Sequence, residues 1–226
     1  MMDAMLLAAG RGERMRPLSD TTPKPLLKVQ EHSLIEWQIL ALASAGFKRI
    51  VINHAWLGNQ IEKALGDGNS YGVEIVWSPE EVALGTAGGI VKALTKLRGD
   101  TFLVASADIF TDFDYGLLSV SHALINNRNL AHLILVDDHR VSQDFDLENN
   151  RVVQSEKPSL TYGNIGVYRR SFFDGLIPGQ PADLGNLLRK AVQANQVSGL
   201  QHLGKWDNVG TPTDLARVNN SSSLRS

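Results

Sequence analysis

Met5-Leu6-Leu7-Ala8-Ala9-Gly10-Arg11-Gly12-Glu13-Arg14-Met15-Arg16-Pro17-Leu18, followed by Pro23-Lys24-Pro25-Leu26, decides how the rest of the chain is read. The apolar run ahead of Gly10 has the composition of a strand buried on both faces. Gly10 and Gly12 permit a sharp turn and let a ligand approach the backbone with no Cβ in the way. Successive amides in such a loop form an anion-binding concavity, and Arg14, Arg16 and Lys24 place cations beside it. A glycine loop with clustered cations calls for a polyphosphate. Two familiar loops do not fit. G-x-G-x-x-G would need glycine where Met15 stands, and the string G-x-x-x-x-G-K-[ST] is absent.

The chain has 226 residues, a length that suits one α/β unit, and its 43% hydrophobic content agrees with a globular core. A net charge of -2 argues against a nucleic-acid binder, which carries a basic field, so local cations must do any phosphate work. Without cysteine there are no disulfides and no thiolate metal sites. Met1-Met2-Asp3 leads straight into a strand with no signal-peptide pattern, and no apolar run reaches the roughly 18 residues of a spanning helix. The expectation is a cytoplasmic protein, with no membrane partner, that is a monomer or weak dimer.

Working outward from the glycine loop, strand and helix patterns alternate. Ser33 to Ala45, Leu57 to Leu65, Ala87 to Leu97 and Gly116 to Asn126 read as helices. Arg49 to Asn53, Val73 to Trp77, Thr101 to Ala105 and Ala131 to Val136 read as strands. This order predicts a Rossmann-like, mainly parallel (mixed) sheet with helices on both faces. Ligands in such sheets sit beyond the carboxyl ends of strands, and Gly10, Asn53, Ser78 and Asp108 all fall there. After Asp137, the segments Asp144 to Leu147, Arg151 to Ser155 and Thr161 to Arg169 predict a small antiparallel insert. Asp183 to Asn195 is an amphipathic helix, Val197 to Leu203 and Trp206 to Val209 are strands, and Pro212 opens a last helix. One unit over residues 1–218 is expected, with halves at about 1–136 and 137–218 and a disordered tail over 219–226.

L-A-A-G-x-G-x-R-[ML]-x-P-L with P-K-P-L resembles the signature of the sugar-1-phosphate nucleotidyltransferases, and the resemblance runs to about Val218. It implies that Leu7, Ala8, Ala9, Gly10 and Gly12 wrap a nucleoside triphosphate. Arg14 would hold the departing pyrophosphate and Lys24 the α-phosphate. The cluster Leu84-Gly85-Thr86-Ala87-Gly88-Gly89 matches the family's L-G-T-A-G, making Glu80, Gly85 and Ala87 candidates for the base and ribose. Thr86 is expected to cap the helix there and the amides to face the nucleotide. The string itself does not choose among uracil, thymine and guanine.

Asp108 follows the strand Thr101 to Ala105 and matches the family's metal-binding carboxylate, which implies Mg2+ on hard oxygen ligands. For the second ligand the family has W-x-D-[IV]-G-T-P, whereas this chain has Trp206-Asp207-Asn208-Val209-Gly210-Thr211-Pro212. Neighbours on a strand face opposite sides, so either Asn208 or Asp207 points at the site, and Asn208 is the aligned position. Glu156-Lys157-Pro158 resembles the family's E-K-P, with Glu156 on sugar hydroxyls and Lys157 on the sugar phosphate. Asn53 and Asn164 are further substrate contacts, and the antiparallel insert would wall the sugar pocket. Ile52 to Glu62 and Asp108 to Asp114 are most similar to family members using UTP and N-acetylmuramic acid 1-phosphate. Mannose-1-phosphate guanylyl transfer, glucose-1-phosphate thymidylyl transfer and a non-catalytic sugar-nucleotide sensor are the alternatives.

Overall fold

The computed structural model describes residues 2–119 and 128–221. In chain order the first half holds β1 (Asp3–Leu7), α1 (Leu18–Thr21), β2 (Lys28–Val29), β3 (His32–Ser33) and α2 (Leu34–Ser44). It continues through β4 (Arg49–His54), α3 (Gly58–Leu65), β5 (Glu74–Pro79), α4 (Gly85–Ala93), β6 (Thr101–Ser106), β7 (Ile109–Thr111) and α5 (Gly116–Ser119). Then come β8 (Ala131–Val136), β9 (Asp146–Glu148), β10 (Arg151–Val153) and β11 (Thr161–Arg169). The chain closes with α6 (Leu184–Gln193), β12 (Val197–His202), β13 (Trp206–Asn208) and α7 (Pro212–Asn220).

Among the described residues nine strands form one sheet in the order β5-β4-β1-β6-β11-β8-β12-β10-β9. The β5, β4, β1 and β6 block is parallel, as the alternating helices require. β11 runs antiparallel between β6 and β8. Strand alternation then sorts the core into two layers. Ala4, Leu6, Ile50, Ile52, Leu103 and Ala105 face Ile35, Ile39 and Leu42 of α2 and Ile61 and Leu65 of α3. Met5, Val51, Phe102 and Val104 face Ala87, Ile90 and Val91 of α4 and Leu184, Leu188, Ala191 and Val192 of α6. Helices therefore cover both faces, and the mixed α/β class expected from the sequence is found.

Details differ from the sequence reading. The expected antiparallel insert is joined to the main sheet, β9 and β10 extending its edge as an antiparallel pair. Two small antiparallel pairs, β2 with β3 and β7 with β13, stand beside it. β7 was not expected, since Ile109 to Thr111 is too short to show a period. Its partner β13 lies some hundred residues further on. β1 stops at Leu7, so Ala8 and Ala9 already belong to the loop. α7 starts at Pro212 under a Thr211 and Asp214 capping box and continues to Asn220, so 219 and 220 are helical. Residues 120–126 of the expected Gly116 to Asn126 helix and 222–226 of the expected tail lie outside the described residues.

Candidate active site

The carboxyl ends of β1, β4 and β6 open onto a cavity of about 220 Å³. Leu7, Ala8, Ala9 and Gly10 line one wall, Lys24 and Pro25 a second, and Ser106, Ala107 and Asp108 a third. Asn53, Ala83, Gly85, Thr86 and Asn164 complete it. Gly12 takes a left-handed φ of 69°, and a Cβ there would come within 3.2 Å of Lys24 Cβ. It is glycine so that the loop can turn with Lys24 packed against it. Gly10 differs. A Cβ at Gly10 would meet nothing within 4 Å, so the open space in front of this backbone faces the cavity.

Lys24 and Asp108 meet directly, the Lys24 ammonium donating to Asp108 Oδ2. Asp108 Oδ1 accepts from the Ser106 hydroxyl at 2.6 Å. The lysine side chain is 11% exposed and the aspartate 25%, so the pair sits at the cavity floor with one open side. Strand β13 lies along β7 with Asn208 opposite Ile109, and the Val209 N–H donates to the Asp108 carbonyl at 3.0 Å. Asn208 Oδ1 is buried and has no hydrogen-bond partner among the described residues. Asp207 is spoken for, because the guanidiniums of Arg140 (2.7 Å) and Arg217 both donate to its Oδ1. Arg14 lies not in this cavity but in an adjoining one, where Asn208, Gly210 and Thr211 also stand.

Behind the cavity a buried polar chain ties two loops together. Ala8 N–H donates to Asn53 Oδ1 at 3.0 Å, and Asn53 Nδ2 donates to Glu80 Oε1 at 2.6 Å. The Leu84 N–H completes it, donating to Glu80 Oε2 at 2.9 Å. Asn53 and Glu80 are both buried. Glu80 is thus engaged by the protein itself and lies off the cavity wall, which is not where the sequence reading put it. Gly89 belongs to this brace, since a Cβ there would fall 2.6 Å from Asn53 Nδ2 and 2.7 Å from Glu80 Oε1. The other glycines of this cluster receive a neighbouring segment. The N–H groups of Ala87 and Gly88 donate to the Ala182 carbonyl at 3.1 and 3.3 Å, and a Cβ on Gly88 would lie 2.6 Å from the Gln180 carbonyl. Those two amides therefore do not face the cavity, as had been expected. Thr86 does not cap α4 either, for Leu84 holds that position without a side-chain bond. Gly85 and Thr86 do line the cavity.

With this geometry in hand, the sequence-family profile described as nucleotidyl transferase matches residues 3–223. The chain belongs to the nucleotidyl transferase family. It is 49% identical over 93% of its length, and 94% of the relative's, to the N-acetylmuramate alpha-1-phosphate uridylyltransferase of Neisseria meningitidis. A mannose-1-phosphate guanylyltransferase of Mycobacterium tuberculosis is 29% identical over 96% of this chain, which spans 63% of that longer relative. Among solved structures, a Bacillus anthracis protein in complex with sucrose superposes with a TM-score of 0.85 at 19% identity. It covers 99% of this chain and 98% of its own, a likeness of fold.

In this nucleotidyl transferase a second cavity of about 180 Å³ adjoins the first and shares Thr86 and Asn164 with it. Asn164 reaches both because β11 shifts register between Tyr162 and Gly166, and Asn164 adopts a left-handed φ of 55°. Asparagine tolerates that conformation, and such irregularities re-aim a side chain beside a site. Glu156 and Lys157 lie on an exposed turn between β10 and β11. Residues the sequence reading passed over also stand at these cavities, Ser106 as the hydrogen-bond partner of Asp108 and Arg189 in the lining of the second. Ser106 was visible as part of Ser106-Ala107-Asp108, but its two-residue spacing becomes a hydrogen bond only because the chain turns after β6.

Proposed function

We propose that this transferase moves UMP from UTP to N-acetylmuramic acid 1-phosphate, giving UDP-N-acetylmuramic acid and pyrophosphate. The carrying observation is the Lys24–Asp108 pair on the floor of a cleft at the carboxyl ends of β1 and β6. It occurs in a chain whose near full-length relative is named for this reaction. A phosphate oxygen of the sugar phosphate attacks the α-phosphorus in line. The bond from the α-phosphorus to the oxygen bridging to the β-phosphate breaks, and that oxygen leaves with the electron pair as part of pyrophosphate. The attacking oxygen is already anionic, so the chain need supply no general base, and catalysis is positioning with charge neutralisation.

Gly10 gives the triphosphate an approach to backbone amides, and Lys24 offers its ammonium to the α-phosphate. Arg14 in the adjoining cavity takes the departing pyrophosphate, and Lys157 steers the acceptor phosphate from its turn. Asn164, at the junction of the two cavities, contacts the sugar. A divalent cation fits the donors present. Asp108 supplies a carboxylate and Asn208 a buried carbonyl oxygen with no other partner, both hard oxygen ligands of the kind Mg2+ takes. Held by these residues, Mg2+ would act as a Lewis acid on phosphate oxygens.

Pyrophosphate release from every pairing of UTP, dTTP and GTP with the 1-phosphates of N-acetylmuramic acid, N-acetylglucosamine, glucose and mannose tests the reading. UTP with N-acetylmuramic acid 1-phosphate and Mg2+ is expected to be fastest, and any other pair in first place overturns it. Lys24→Ala and Asp108→Ala should each lower the rate about a hundred- to thousandfold, the effect of removing one preorganised contact, in chains that fold normally. Undiminished turnover in either variant refutes the assignment.

A further inference from the structure

Resting on the acceptor named above, we propose that Arg189 recognises the lactyl carboxylate that distinguishes N-acetylmuramic acid 1-phosphate from other N-acetylhexosamine phosphates. The second cavity opens directly off the first through Thr86 and Asn164, so a sugar whose phosphate reaches the Lys24 and Asp108 floor extends into it. Phe145, Leu184 and Leu188 give it an apolar wall. Its charged residues are Asp144, Asp183 and Arg189.

Both aspartates serve the protein. Asp144 Oδ2 accepts from the Thr161 hydroxyl at 2.8 Å and the Tyr162 N–H at 3.1 Å. Asp183 Oδ1 accepts the Asn186 N–H at 2.8 Å and caps α6. Arg189 is different. Among the described residues it enters no ion pair, and its Nη2 donates to Asn186 Oδ1 at 2.8 Å. Its guanidinium folds back along α6 over Gly185, where an added Cβ would stand 3.6 Å from both terminal nitrogens. Other cations around the cleft have carboxylate partners: Lys24 has Asp108, Arg140 has Asp138 and Asp207, and Arg217 has Asp207 and Asp214. Arg14 and Lys157 also enter no ion pair among the described residues, but Arg14 lines the adjoining cavity with Asn208 and Lys157 lies on an exposed turn.

Without Arg189 the cavity holds two carboxylates and repels an acid; with it the formal charge falls from -2 to -1, both aspartates are turned to protein donors, and the guanidinium offers a bidentate contact to a carboxylate. Arg189 therefore decides whether an acidic or a neutral substituent is admitted, a specificity set by attraction and repulsion together. Apolar fit alone gives far less discrimination than a charged hydrogen-bonding group left unpaired.

The test compares N-acetylmuramic acid 1-phosphate with its analogue bearing a lactyl amide in place of the carboxylate, with UTP and Mg2+. The native enzyme is expected to favour the acid by about 10- to 100-fold in kcat/KM. Arg189→Leu should lose that preference and favour the amide, Arg189→Gln should do the same while keeping a hydrogen bond to Asn186, and Arg189→Lys should restore part of the native preference. If Arg189→Leu or Arg189→Gln still prefers the acid as the native enzyme does, Arg189 does not read the carboxylate. Native enzyme that turns over neither compound while another sugar phosphate in the panel reacts would instead remove the acceptor assignment, and this inference with it.

Discussion

Asn53→Ala would cut the brace between the glycine loop and the loop before α4. The change orphans the Ala8 N–H, which had Asn53 Oδ1 at 3.0 Å, and removes the 2.6 Å bond to Glu80 Oε1. Asn53 is 2% exposed and Glu80 6%, so water does not readily replace either partner. A buried neutral group left unsatisfied costs about 1–3 kcal/mol, and a hydrogen bond to a charged group contributes about 1.5–3. The sum predicts a loss of about 2.5–6 kcal/mol, a large part of the roughly 5–15 kcal/mol that holds such a domain together. Urea unfolding followed by tryptophan fluorescence would show a lower midpoint with the slope unchanged. Because Ala8 and the segment after Leu84 flank the same cavity, KM for UTP should rise more than KM for the sugar phosphate. Asn53→Asp gives a second reading of the same geometry. It sets two carboxylates where Nδ2 now meets Oε1, and such a pair holds one proton more tightly than either alone. The folded state then binds a proton that the unfolded chain releases, so the variant loses stability as pH rises, more steeply than the native protein. An Asn53→Ala protein within about 1 kcal/mol of native stability and with native KM for UTP would refute the idea that this brace shapes the nucleotide wall.

Gly10→Ala, whose Cβ meets no protein atom within 4 Å, should unfold like the native protein and bind UTP at least about tenfold more weakly in a titration. Gly88→Ala should do the reverse, losing about 1–3 kcal/mol because its Cβ would lie 2.6 Å from the Gln180 carbonyl. Burial pushes the His132 imidazole down to about 4 from 6.5, and its Nδ1 pairs with the Ser198 hydroxyl at 2.9 Å. The unfolded chain takes up the proton first, so stability falls as pH drops from 6.5 towards 4, by about 3 kcal/mol at ~1.4 kcal/mol per pKa unit; urea midpoints across that range should lose this slope in His132→Gln. In EDTA, UTP should bind Asp108→Asn more tightly than native protein, because the variant frees Lys24 from its carboxylate, and equal calorimetric affinities would count against that pair as the competitor.

What could be read from the chain alone was what local pattern encodes. β1, β4, β6 and β8 are short β-branched or aliphatic runs between turn residues, and α2 and α6 carry apolar faces of helical period; these fix a layered sheet before any contact is known. β11 was legible to the residue, Thr161–Arg169, yet its bulge at Asn164 was not, because a register shift belongs to the pairing of two strands rather than to one. The brace was equally hidden. Asn53 and Glu80 are 27 residues apart, and each looked like a ligand contact because a polar residue at a strand end reads the same whether it faces a substrate or another loop. Composition likewise could not show that Ala182 would take the amides of the Leu84 to Gly89 cluster.

The separation of Asp207 from Asn208 shows what a single pairing adds. On sequence, Asn208 is the aligned position for a cation ligand and the carboxylate of Asp207, one residue earlier, the alternative. β13 pairs with β7 so that Trp206 and Asn208 share a face, with the Trp206 indole donating to the Gly163 carbonyl at 2.9 Å. Asp207 is turned the other way, to Arg140 and Arg217. The charge is therefore spent on holding β13 against the loop that carries Arg140 and against α7, and the buried Asn208 Oδ1 is left without a hydrogen-bond partner among the described residues. If Asn208 is the second donor, as proposed above, Asp108 is the carboxylate that would balance both Lys24 and a divalent ion. In the ligand-free cleft Lys24 and Asp108 satisfy each other; a phosphate that takes Lys24 strands Asp108 unless a cation arrives with it. On the proposed reading, one carboxylate and one lysine in contact would favour a metal–triphosphate complex over either component alone.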